Sequence, residues 1–363
     1  MTDGEDTPKA PDAPVEVPGR PRRPRRALRY LLIALVVLPS LVGLIAGGIF
    51  LYGKYRFEAA GPHATPQIVM LSPGMGVRAI ATRLEQAGVI SDRRIFLVGI
   101  RLSKADASLK AGEYEIPAHA SMASIMGILR DGRSILHRIT IPEGRTSEQA
   151  MLIVAADPVL VGDMPPTPPE GTLLPETYSF TRGTTRTEIV ALMRKAARDL
   201  MAELWPARAE GLPVKTPEEA IILASIVEKE TGVASERPRV AAVFVNRLRK
   251  PMRLQSDPTI IYGLVGGQGA LGRPIRRSEI DRPTPYNTYQ IDGLPPTPIA
   301  NPGRASIEAV LNPPKTDEYY FVADGTGGHV FSRTLAEHQR RVLEWRRIER
   351  EKARGAVEKE QDR

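Results

Sequence analysis

The sequence predicts an α+β protein held behind a single N-terminal transmembrane helix. Three observations lead there. An uncharged apolar run of 24 residues follows a block of arginines. Short extended runs then alternate with amphipathic helical stretches. Further on, a well-capped helical stretch ends in two glutamates, within IILASIVEKETG (residues 221–232).

The chain has 363 residues, no Cys and a formal net charge of +8. That length suggests two or three folded units. The lack of Cys excludes disulfides, thiolate catalysis and cysteine metal sites. The distribution of positive charge argues against a nucleic-acid partner. Six arginines crowd into GRPRRPRRALR (19–29), directly before the apolar run from Tyr30 to Gly53. As a helix that run would be about 36 Å long, enough to cross a bilayer with some tilt. Past it come only Lys54 and Arg56, then Glu58, so the charge bias puts the N-terminus in the cytoplasm and the rest outside. A cleaved signal peptide is the alternative, but its apolar region is only about 7–15 residues long and would not sit behind such a tail. Residues 1–29, Pro-rich and charged, are expected to be disordered.

From Thr65 the pattern is strand, turn, helix. Gln67–Leu71 is extended, Ser72-Pro73-Gly74-Met75 a turn, and VRAIATRLEQAG an amphipathic helix stopped by Gly88. SDRRIFLVGIRLS gives a second helix and KAGEYEI a strand. Ser121–Leu129 reads as helix, His137–Ile141 as strand, Pro142-Glu143-Gly144 as turn, and a helix starts near Thr146 or Ser147. The repeated strand–PxG–helix grammar suggests either a weak duplication or two unrelated βα turns; LysM-like glycan-binding modules are small α+β units of this kind. DPVLVGDMPPTPPE (157–170) reads as a domain boundary. ETYSF and a helix over TEIVALMRKAARDLMAELW follow, and the last 28 residues form a charged helix and tail.

The glutamate helix has a clear start. Thr216 serves as N-cap, Pro217 occupies the first turn and Glu219 completes a capping box; Gly232 supplies the stop. At 100° per residue, Ala220, Leu223, Ile226 and Val227 form a buried arc that includes Glu230. Glu228 falls on the opposite side, near Ser225, where it would reach water. Burial disfavours a charged carboxylate and raises its pKa, which suits Glu230 to be a general acid for glycoside cleavage. The competing reading is a structural ion pair between Glu230 and Arg237 or Arg247.

The stretches ASIVEKETGVASERPRVAAVFVNRL (224–248), MRLQSDPTIIYG (252–263), PTPYNTYQIDGLPPTPIANPG (283–303) and YYFVADGTGGHVFS (319–332) resemble the endolytic murein transglycosylase family, the YceG-like lytic transglycosylases. EGTLLPETYSF and KAGEYEIP extend the likeness towards the N-terminus. The resemblance implies a LysM-like region over 65–156, a catalytic domain over 170–340 and a charged helix and tail over 341–363. It implies a catalytic acid at the second glutamate of the E-K-E-T run, Glu230, and its Glu-Thr pair resembles the Glu-Ser pair of lysozyme-like transglycosylases. The activity implied is cleavage between N-acetylmuramic acid and N-acetylglucosamine within glycan strands, leaving a 1,6-anhydro end, at the bacterial inner membrane beside the peptidoglycan synthases (penicillin-binding proteins). No cofactor or metal is implied.

Ordinary glycosidases need two carboxylates, whereas a transglycosylase can use one. Asp257, the other acid within the matching motifs, reads as an N-cap before Pro258, or else as the second carboxylate of a muramidase that hydrolyses the same bond. Asn246, Gln255, Ser256, Asp257, Tyr262, Tyr286, Asn287, Thr288 and Tyr289 supply amides, hydroxyls and aromatic faces suited to binding sugar, or else make ordinary core and turn hydrogen bonds. A non-enzymatic peptidoglycan-binding scaffold is the rival from another class. GQGALG (267–272) follows the strand-like TIIYGLV and matches G-x-G-x-x-G, but RPIRRSEIDRPTP after it has no helical stripe, which excludes a dinucleotide site. The five histidines lack metal-ligand spacing.

Overall fold

The structure is a computed structural model and describes residues 25–105 and 108–361. It divides into two compact units. Among the described residues, one is made of 25–69, 75–110 and 116–131; the other of 70–74, 111–115 and 132–361.

Helix α1 (Arg25–Glu58) contains the whole apolar run, is uninterrupted at Pro39, and has none of its apolar window buried. Residues 25–29 belong to this helix; the rest of the tail expected to be disordered lies outside the described residues. Strand β1 (Gln67–Leu71), helices α2 (Val77–Gln86) and α3 (Arg93–Leu102) and strand β2 (Gly112–Ile116) follow, with β1 paired to β2. Gly88 takes up a left-handed φ of 68°, as a helix stop requires. Asp92 caps α3 by accepting from the amides of Arg94 and Ile95. Helix α4 (Met122–Asp131) completes the first unit, whose buried side chains include Leu84, Phe96, Ile100, Ile125 and Leu129.

From residue 132 on, the second unit holds β3 (His137–Thr140), α5 (Ser147–Ala156) and β4 (Thr177–Phe180). Thr146 and Gln149 form the capping box that starts α5. β3 pairs antiparallel with β4, His137 opposite Phe180, so the Pro-rich connection 157–170 is not the boundary between cores that was expected. Ile139 and Val154 before it share one core with Leu173, Tyr178, Ile189 and Met193 after it.

Helix α6 (Arg186–Leu204) leads to the unit's centre, where α7 (Pro217–Glu230) and α8 (Arg237–Arg249) pack together. Then come α9 (Asp257–Val265), a single turn α10 (Arg277–Ile280) and α11 (Arg304–Leu311). Leu223, Ile226 and Val227 of α7, Val240 and Phe244 of α8 and Val310 of α11 form a second core. The strand-like TIIYGLV is thus helical, ended by Gly266 at φ 62°, and no helix starts at Gly267. Strands β5 (Tyr320–Ala323) and β6 (His329–Ser332) make a hairpin, and α12 (Leu335–Gln361) runs unbroken across the boundary expected at 341.

Gly171 holds the chain tightly against α7. It has φ +75°, and a Cβ there would lie 2.6 Å from Ile221 Cγ2 and 2.7 Å from Pro298 Cγ. Gly171→Ala is expected to lower stability by about 2–3 kcal/mol through backbone strain and overpacking. A urea midpoint followed by tryptophan fluorescence checks this; an unchanged midpoint would mean the loop simply moves away.

Candidate active site

Glu230 is the last residue of α7, half-buried at the point where the helix leaves its core. The helix starts as expected at Thr216, which accepts from the Glu219 amide at 3.2 Å, but Glu219 reaches back to the amide of Lys215 rather than to that of Thr216. It stops just ahead of Gly232, ending on Thr231 in an extended conformation rather than through a left-handed glycine.

The Ser256 hydroxyl donates to Glu230 Oε1, and Oε2 accepts no hydrogen bond among the described residues. Burial pushes the Glu230 carboxyl up to about 7. The Ser256 hydrogen bond works against this, the charge of Asp257 adds to it, and His329 and Arg247 oppose it at longer range. The suggested ion pair with Arg237 or Arg247 does not form. Arg237 is engaged with Glu228 and Glu143, and Arg247 gives its guanidinium to the carbonyls of Tyr319 and Leu254 at 2.7 Å each.

Ser256 is held in place from behind. Its amide donates to Thr288 Oγ1 at 2.9 Å, and Thr259 Oγ1 donates to its carbonyl at 2.6 Å. Ser256, not Asp257, is the N-cap residue of α9. Its side chain makes no cap hydrogen bond; its hydroxyl is turned to Glu230 instead. Asp257 is therefore the first helical residue, and its carboxylate accepts from the Tyr289 hydroxyl at 2.7 Å. Ser256, Asp257 and Tyr289 thus gather about Glu230. Burial, then the bond to Asp257, raises the Tyr289 phenol above its ordinary value, so it stays a neutral donor.

The other residues expected to touch sugar are placed differently. Asn246 turns Nδ2 inward to the carbonyls of Thr316 and Glu318, at 2.9 and 3.1 Å. Asn287 spends Nδ2 on the carbonyls of Ile280 and Arg282, and Thr288 is fully buried. All three brace the loops, and Asn287 and Thr288 are all but inaccessible, their polar groups satisfied internally as burial requires. Gln255 is exposed and takes a left-handed φ of 52°. Tyr262 and Tyr286 pack at a tilt of 57° with centroids 5.1 Å apart, and Tyr262 lines a cavity of about 500 Å³ together with Gly144, Arg145, Lys229 and Pro258.

The wheel misplaces Glu228. Its side chain is only 4% exposed, salt-bridged to Arg237 Nη2 at 3.2 Å and accepting from the Gly303 amide at 3.0 Å. The same Arg237 nitrogen donates to Glu143 at 2.8 Å, and Lys229 Nζ donates to the Gly144 carbonyl at 3.3 Å. The turn Pro142-Glu143-Gly144 is thereby tied to the end of α7. Asn301 ties it further, donating from Nδ2 to the Arg145 carbonyl and accepting the Leu173 amide.

Sequence reasoning named Arg237 and Arg247 only as possible partners of Glu230, and missed this network along with Glu236 and His329. Burial pushes Glu236 up, but the His329 ring and amide outweigh it and hold the carboxyl below its usual range. The signal available for it was the company Glu143, Glu228 and Pro302-Gly303 keep within their motifs.

One carboxyl raised into the neutral range, oriented by a hydroxyl and with a free oxygen, can give and take back a proton at pH 7. Ser256→Ala removes a donor that favours the ionised form, so the Glu230 pKa should rise. The alkaline limb of kcat/KM is then expected to move up by about one pH unit. An unmoved limb would mean that another group sets it.

The YceG-like family model matches residues 69–344. The chain is 31% identical over 330 residues to the endolytic murein transglycosylase of Bacillus subtilis, covering 82% of this chain and 90% of that protein. It is 32% identical to the protein of the same name from Streptococcus pneumoniae, covering 83% of this chain but 63% of that longer protein. A crystal structure of a putative yceG-like protein from Listeria monocytogenes, 31% identical, covers 76% of this chain and 99% of its own, with a TM-score of 0.45. With more than half its length matched by one family model, and the E-K-E-T run at the end of α7 within the match, the chain belongs to the YceG-like family.

Proposed function

We propose that the protein is an endolytic murein transglycosylase that cuts the bond between N-acetylmuramic acid and N-acetylglucosamine inside glycan strands. The observation that carries the reading is Glu230, a carboxyl raised to about 7 whose Oε2 accepts no hydrogen bond among the described residues. Its relatives bear the name of this activity. Glu230 gives its proton to the glycosidic oxygen as the C1–O bond breaks. The carboxylate so formed takes the proton of the sugar's own C6 hydroxyl, whose oxygen bonds to C1. The products are a new strand end with a free hydroxyl and a 1,6-anhydro-muramic end, and no water is consumed. Holding the C6 hydroxyl in reach replaces the second carboxylate.

The strand–helix–helix–strand arrangement of β1, α2, α3 and β2 supports a LysM-like unit ahead of this domain. The apolar α1 and the arginines before it support a single-pass inner-membrane enzyme with its domains in the periplasm, beside the penicillin-binding synthases. Mass spectrometry of uncrosslinked strands digested by the full-length protein in detergent tests the reaction. Internal fragments with 1,6-anhydro ends are expected. Hydrated reducing ends would make the protein a muramidase and implicate Asp257; intact strands would favour a glycan-binding scaffold.

A further inference from the structure

Helix α3 carries two apolar stripes. Phe96 and Ile100, one turn apart, are buried in the first unit. Val98 and Leu102, also one turn apart, face away and are 54% and 65% exposed. With Ile95 they form one wall of a groove of about 750 Å³, whose other wall is α1 at Ile49, Phe50 and Phe57. Gly99 permits this approach, because a Cβ there would lie 2.3 Å from the Phe57 ring, which in turn packs on Phe96.

A helix at a water-facing surface solvates one side; an apolar groove open on that side marks an interaction surface. What fills it follows from α1. A bilayer's hydrocarbon takes about 20 helical residues. The uncharged run ends at Gly53, and Lys54, the first charge after it, also lines the groove. The groove therefore lies along the stretch of α1 that would pass from acyl chains to headgroups. Arg94, at its rim, and Arg101 are exposed and make no ion pair among the described residues.

We propose that α3 is an interfacial helix. Val98 and Leu102 sink into the acyl–headgroup boundary of the leaflet in which α1 ends, and Arg94 and Arg101 meet the phosphates of anionic lipid there. An amphipathic helix with an apolar stripe and flanking arginines binds a membrane in this way. The first unit then rests on the bilayer through two helices, so it cannot swivel freely on α1. The proposal depends on α1 spanning the membrane.

The chain has no Cys, so a single introduced thiol can be labelled uniquely. The full-length protein is labelled with an environment-sensitive fluorophore at Leu44→Cys, Val98→Cys, Leu102→Cys or Gln86→Cys. Each is reconstituted into phosphatidylglycerol-containing vesicles with spin-labelled lipid as quencher. Probes at 44, 98 and 102 are expected to lose most of their emission, the one at 86 little. In the Arg94→Glu/Arg101→Glu background the loss at 98 should shrink. If 44 is quenched while 98 stays bright and open to aqueous iodide, the docking is overturned. A blue-shifted probe at 98 that lipid quenchers do not reach would indicate a second copy and overturn it too. Equal quenching in neutral phosphatidylcholine overturns the headgroup contact. An unquenched probe at 44 overturns the anchor, a different failure from that of α3.

Discussion

Glu230→Gln should abolish strand cleavage while leaving the fold intact. Removing a general acid costs about two to four orders of magnitude, and in the proposed mechanism the same group also serves as base, so the loss should sit at the upper end. The measurement is the rate at which anhydro-ended fragments appear; a residual rate within tenfold of wild type would assign the chemistry elsewhere. The variant should also be more stable at high pH. The carboxyl stands at about 7 in the folded protein against 4.5 when exposed. The folded state therefore holds the proton more tightly, and this contribution is full below about 4.5 and lost as the pH rises through 7. Glutamine has no charge to bury. At pH 8 Glu230→Gln is expected to gain about 3 kcal/mol over wild type, a difference that vanishes near pH 4. Equal stability at both pH values would mean that Glu230 is not desolvated.

Arg237→Ala is the second large effect. Glu228 is nearly inaccessible and keeps only the Gly303 amide once its guanidinium partner is gone. Breaking a buried pair from one side costs about 3–5 kcal/mol, because the remaining charge is left uncompensated. The urea midpoint of the full-length protein should fall accordingly, and cleavage should drop with it as Glu143 and its turn come away from α7. Arg237→Ala/Glu228→Gln should recover some of the stability, since a neutral amide is cheaper to bury. If the double variant is no better than the single one, the loss comes from packing of the arginine stem, not from charge.

The two glutamates of the E-K-E run show where reasoning along one helix stops. The helical wheel placed Glu230 on the apolar arc, and the structure bears out its burial. It put Glu228 in water because the opposite side of an isolated helix is solvent. In the folded unit that side is covered by residues 303 and 144, and Glu228 is buried with an arginine. A wheel knows one helix's periodicity but not which sequence-distant loops pack on it.

Local signals were sufficient for what local physics controls. The apolar run, the strand Gln67–Leu71, the Gly88 stop, the helix start near Thr146 and the Thr216 cap were legible in the sequence, because propensity and capping act within a few residues. The motif resemblance likewise pointed to the family from sequence alone. Only tertiary structure decided that the Pro-rich connection 157–170 joins one core, since β3 finds its partner β4 some forty residues on. It alone turned Asn246, Asn287 and Thr288 inward, moved the α9 cap from Asp257 to Ser256, and gave that hydroxyl to Glu230. A polar side chain takes whichever partner the fold brings within reach, and those partners come from segments far away in the chain.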